Sequence, residues 1–171
     1  MNKIVKRFLL MVFLFSPACV FAQTGSRVYE SNGNFSYCPP LGWTVREFPG
    51  LKYKVVIGGN EGGFAPNINF VDELFDGNLR EYVDISISQF PEYFMEYRLL
   101  SRNAFKTNSG IAGERIIIAN VQNRFSLKQI FYIFQASQNK YIVVTCSVTD
   151  SASEKYLSVF DESIKTFELI N

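Results

Sequence analysis

Between Gly110 and Val148 the chain carries three apolar runs in close succession, Gly110–Val121, Gln129–Ala136 and Tyr141–Val148. Each is rich in Ile, Val, Phe and Tyr, residues that fit a pleated surface, and only short polar stretches part them. Such runs predict neighbouring strands of one antiparallel sheet, with Ser137–Gln138–Asn139–Lys140 as the hairpin loop between the last two. Tyr97–Arg102 predicts a further strand ahead of them.

The flanking text alternates between strand and helix signals. Phe35 and Tyr37 alternate with Ser36 and Cys38 until Pro39–Pro40 stops the pattern. Tyr53, Val55 and Ile57 lead to a glycine cluster at 58–63, and Ala65–Val71 alternates again. A phosphate-cradling loop needs its glycines to open a helix, but a strand follows here, so the cluster reads as a turn between antiparallel strands. At Asn78 and Glu81 the spacing predicts a capping box, and Leu79, Val83, Ile87, Phe90 and Phe94 then line one helical face. Pro91 predicts a kink or restart near Gln89. Ser151–Glu154 predicts a second capping box, ahead of a helix whose apolar face carries Tyr156, Phe160, Ile164 and Phe167. The order of elements is that of a single α+β domain.

Residues 1–22 read as a secretory signal peptide. Lys3, Lys6 and Arg7 precede the eight-residue apolar run Phe8–Phe15, and Val20–Phe21–Ala22 forms a small-residue exit. The run is far shorter than the ~20 residues of a spanning helix. Cleavage between Ala22 and Gln23 leaves 149 residues, with 23–32 as an N-terminal segment and 33–171 as the folded domain. Cys19, preceded by Ala18, is the candidate lipidation site if the leader is instead processed there, the one route by which the mature chain is held at a membrane. The expected location is periplasmic or secreted, or tethered as a lipoprotein.

Composition then removes functions. No histidine occurs among the 171 residues, which excludes a Ser-His-Asp triad, a Cys-His pair and His-ligated zinc. Without the leader the chain has 14 basic and 16 acidic residues, scattered, with no basic stripe for a nucleic acid. No second apolar stretch reaches spanning length, so the mature chain is expected to hold no transmembrane span. Asp72, Glu73 and Asp76 lie close together but lack the spacing of a calcium loop, and a helix cap accounts for Asp76–Gly77–Asn78. The carboxylate pairs Asp161–Glu162 and Glu92/Glu96, the latter set one helical turn apart, read as solvated helix surface. No catalytic residue, metal or cofactor is assigned, and the chain is expected not to be an enzyme. Cys38 and Cys146, in an oxidising compartment, are either a disulfide or two buried thiols. Phe90–Tyr97 holds more aromatics than one buried face needs, so Tyr93, Met95 and Tyr97 form the candidate partner patch, the alternative being burial against the next strand.

Several segments together resemble the PsbP-like domain (the PsbP/DcrB-like family of exported proteins). They are the aromatic strand entering Pro40–Leu41–Gly42–Trp43, Ala65–Pro66–Asn67–Ile68–Asn69, the helix opening Leu79–Arg80–Glu81–Tyr82, and a Tyr-aromatic hairpin followed by a helix with Phe160 and Ile164–Lys165–Thr166–Phe167. The resemblance spans about residues 33 to 169. It implies one antiparallel sheet flanked by helices on both sides, an α/β/α sandwich. It also implies a binding role, as an accessory or scaffold subunit of the bacterial envelope or as a carrier or chaperone, with an envelope protein or an apolar ligand as partner. It implies no active-site residue, since a shared fold does not fix the job.

Overall fold

The computed structural model describes residues 23–170. The predicted leader, with Cys19 and Ala22, lies outside the described residues, while Gln23 begins them, exposed. The strands are β1 (Val28–Glu30), β2 (Phe35–Tyr37), β3 (Thr44–Arg46), β4 (Val55–Ile57), β5 (Asn67–Leu74), β6 (Met95–Lys106), β7 (Ala112–Gln122), β8 (Phe125–Ser137), β9 (Lys140–Thr149) and β10 (Glu168–Leu169). Helix α1 (Leu79–Tyr93) joins β5 to β6, and α2 (Ser153–Lys165) follows β9 through a single 3-10 turn at Asp150–Ala152.

Seven strands form an antiparallel sheet in the order β3-β4-β5-β9-β8-β7-β6. A smaller antiparallel sheet has the order β1-β2-β10. The segment 23–32 is therefore part of the domain: β1 pairs with β2, and Thr24 bridges to Pro40.

The three long runs at the centre have side chains apolar on both faces, because helices cover both. In β8, Ile130, Tyr132 and Phe134 enter the core under α2, while Phe131 and Ile133 enter the core under α1. Strand β9 divides likewise, with Ile142, Val144, Cys146 and Val148 on the α2 side and Tyr141 and Val143 on the α1 side. Alternation along a strand sends neighbours to opposite faces, so one continuous apolar run supplies two cores. Phe35 and Tyr37 of the small sheet join the α2-side core, both fully buried.

Helix α1 starts as its sequence predicts. Asn78 Oδ1 accepts the Glu81 backbone N–H at 3.0 Å, and Glu81 Oε2 accepts the Asn78 N–H at 3.0 Å. The predicted restart at Pro91 does not occur, and α1 runs through it to Tyr93. Pro91 sits in the last turn, where its missing N–H deprives a single carbonyl of its partner. The second predicted capping box is also corrected. No side chain caps α2; instead the 3-10 turn leads into it, and Ser153 Oγ donates to the Asp150 carbonyl at 2.7 Å.

Candidate functional site

The two faces of the large sheet are covered unequally. On one side, α2 and the small sheet pack over it, with Phe134 stacked on Phe167 at 4.7 Å and Tyr37 against Phe70 at 4.4 Å. On the other side α1 is the cover. Tyr82 stacks on Tyr141 at 4.5 Å, and Phe90 stacks on Phe131 at 4.9 Å, so the helix lies over β8 and β9. Beyond its flank, the β5 side of that face is bare. Register places Val71 opposite Val143 and Asn69 opposite Thr145, all on this face.

A groove of about 420 Å³ follows the line where α1 leaves the sheet. Val71, Val143 and Thr145 form its floor, and Tyr82, Gln89 and Tyr93 its helical wall. With Ser86, which also lines the groove, the wall residues recur at three- and four-residue spacing, so they share the helix flank turned toward β5. Further along β5, a second depression of about 350 Å³ is bounded by Phe48, Leu51, Val55 and Ile57. Asn67 and Asn69 line that depression, whereas Val71 and Glu73, on the same face of the strand, line the groove. Val71, Phe48 and Leu51 are exposed apolar side chains.

The electrostatics are simple. Among the described residues Glu73 is the single charged one lining the groove, and its Oε2 accepts the Tyr82 hydroxyl at 2.6 Å. Burial, with Glu73 beside it, pushes the Tyr82 phenol well above its ordinary range. Nearby, Asn120 donates to Gln129 at 2.7 Å and Gln129 donates to Ser147 at 3.2 Å, a buried neutral chain across β7, β8 and β9.

The three candidate patch residues differ in exposure. Tyr93 and Met95 are 73% and 70% exposed, but Tyr97 turns inward, half-buried, its ring centroid 6.1 Å from that of Phe90. The Glu92/Glu96 pairing is corrected, since α1 ends at Tyr93 and Glu96 lies in β6 with a left-handed φ of 52°. Asp72 and Glu73, adjacent in β5, face opposite sides. Asp72 binds Lys52 and Lys140, while Glu73 meets Tyr82. Among the described residues no group of three or more Cys, Asp or Glu is placed to hold a metal ion.

Asp161 and Glu162 diverge as well. Asp161 Oδ1 accepts from Arg115 Nε at 2.7 Å and from the Tyr132 hydroxyl at 2.6 Å, whereas Glu162 pairs with Lys165 at 2.8 Å. Cys38 and Cys146 are both free thiols, Cys38 half-buried and Cys146 fully enclosed. Burial, and Asp161 beside it, push the Cys146 thiol well up, which leaves little reactive thiolate.

Sequence reading missed Val71, Glu73, Val143 and Thr145 as a site. The available signal was the apolar Val71 on the face of β5 that also carries Asn67, Asn69 and Glu73, but that pattern does not say which part of a sheet its helix leaves bare.

No protein-family model matches the chain, and no curated protein matches it in sequence. Solved structures match in fold. Cyanobacterial PsbP (CyanoP) from Synechocystis aligns over 91% of this chain and 98% of its own, with a TM-score of 0.60 and 13% identity. LpqN of Mycobacterium tuberculosis, described as involved in cell envelope biogenesis, aligns over 86% of each chain, with a TM-score of 0.62 and 9% identity. The Saccharomyces cerevisiae Ran-binding protein Mog1p aligns over 87% of this chain and 97% of its own, at 0.59 and 11%. The chain thus has the PsbP-like fold, two antiparallel sheets with two helices in a single domain.

Proposed function

We propose that this PsbP-like domain is exported and works by binding, as a non-catalytic accessory or scaffold subunit of the bacterial envelope. The observation that carries the reading is the half-bare sheet face, where an apolar groove is walled by the exposed Tyr93. Contiguous exposed apolar surface on a folded domain marks an interaction site. Export rests on the leader pattern at 1–22, and the envelope setting agrees with the involvement of LpqN in cell envelope biogenesis. No helix among the described residues is long and apolar enough to cross a membrane.

A photo-crosslinking residue at Tyr93 or Met95, introduced in the natural source, is expected to give a discrete adduct, while the same residue at Glu154 on exposed α2 gives none. Equal labelling at both places overturns the reading. The intact mass of the natural protein is expected to begin at Gln23; a lipidated Cys19 would make it a tethered lipoprotein instead.

A second reading, a carrier or chaperone for an apolar ligand or segment, is favoured by one feature. The groove lies between helix and sheet rather than on a flat surface, and its floor is a strand surface left open to solvent at Val71.

A further inference from the structure

We infer that the groove selects an extended, apolar segment of a partner protein carrying one basic residue, seated with that residue at Glu73. The inference rests on the binding reading above and names the chemistry of the partner.

Charge complementarity carries it. Glu73 is the single charged side chain lining the groove, and it forms no ion pair among the described residues. Its neighbour Asp72, on the opposite face, has two lysines, Lys52 at 2.6 Å and Lys140 at 3.3 Å. The Tyr82 hydroxyl occupies Oε2 of Glu73, while Oε1 makes no hydrogen bond among the described residues. A carboxylate has about four acceptor positions, so a Lys or Arg can join without displacing Tyr82. Beside an apolar wall, a charge-assisted bond of this kind discriminates between partners more than it adds affinity.

Shape supplies the rest. Asn67, Asn69, Val71 and Glu73 follow one another on one face of β5, linking the second depression to the groove. At about 3.3 Å per residue this track is roughly 20 Å long, the span of about six extended residues. Alternate apolar side chains of such a segment meet Phe48 and Leu51 at one end and Val71 toward the other, with Tyr93 walling the stretch between.

The test is selection of a phage-displayed random twelve-residue library on the chain from Gln23 to Asn171, followed by affinity measurement on synthetic winners. Apolar peptides with one Lys or Arg are expected to be enriched. Replacing that residue by norleucine should weaken binding by about two- to fivefold, the worth of one partly exposed ion pair. Against Glu73→Gln, which still accepts from Tyr82, the two peptides should bind equally, and Tyr93→Asp should weaken both. Unchanged thermal unfolding shows that each variant is folded. Equal binding of the two peptides to the unaltered chain, with Tyr93→Asp still harmful, overturns the charge selection and leaves the groove reading standing. Absence of enrichment, or binding that Tyr93→Asp does not change, overturns both.

Discussion

Gly113 shows how much a single residue decides in this sheet. It lies in β7 between Phe105 of β6 and Phe134 of β8, and the two rings meet across it with centroids 6.2 Å apart. A methyl group there would stand 2.5 Å from the Ile133 carbonyl oxygen and 2.6 Å from the Phe134 ring. Gly113→Ala is therefore expected to destabilise the fold by about 1–3 kcal/mol, the usual cost of overpacking, read as a lower urea midpoint at unchanged slope. Asp161 is a second such residue, since it alone accepts both the Tyr132 hydroxyl and Arg115 Nε. Asp161→Ala strands a buried phenol and a half-buried guanidinium, with an expected loss of about 2–3 kcal/mol, whereas Asp161→Asn keeps an acceptor and should cost less.

The tyrosines make stability depend on pH. Burial pushes the phenols of Tyr37, Tyr82 and Tyr132 above their ordinary range, helped by Glu30 at Tyr37, Glu73 at Tyr82 and Asp161 at Tyr132. An unfolded chain loses those protons near pH ~10 while the folded one keeps them, so the native state binds more protons there. Stability is then expected to fall as pH rises through ~10 and beyond. Urea midpoints between pH 9 and 11, together with phenolate absorbance at 295 nm, check this. Reversible ionisation of every tyrosine in the still-folded protein would contradict it.

At the scale of elements, local signals were legible where the partners are close in sequence. The capping box at Asn78 and Glu81 forms as read, and Asn78→Ala is expected to cost about 1 kcal/mol, lowering Tm by roughly 2–4 °C in differential scanning calorimetry. The hairpin at Gln138–Asn139 joins β8 to β9 as its turn residues predict, and the glycine cluster joins β4 to β5. Strands β1, β3 and β10 carried almost no signal, being two or three residues long. Of these, β1 and β3 pair with the next strand in the chain, whereas β10 meets β2 across more than 130 residues, and Arg27 binds Glu168 and the Thr166 carbonyl. The Ser151–Glu154 pattern misled because capping requires the backbone to enter the helix directly, and here a 3-10 turn comes first.

For the whole molecule, the layered cover sets a hierarchy of local stability. Strands β8 and β9 lie inside the sheet with side chains buried on both faces, whereas β6 is a long, exposed edge and β3 a short one. Amide hydrogen exchange is expected to be slowest in Ile130–Phe134 and Tyr141–Val144 and fastest in the outer edges of β6 and β3. Comparable protection in β6 would mean that something covers that edge in solution.

The sequence by itself determined the α+β class, the central antiparallel strands, the start of α1 and the apolar face of α2, because periodicity and capping are local properties of the backbone. It also held the absence of histidine and the leader-like pattern of residues 1–22, on which the proposal of an exported binder rests. Only the tertiary structure decided which half of the sheet α1 leaves bare, that Tyr97 turns inward while Tyr93 and Met95 stay out, and that Glu73 stands alone beside an apolar groove. The physical reason is that exposure is a property of packing. A strand pattern states which side chains share a face, but the crossing of α1 over β8 and β9 settles how much of that face is covered.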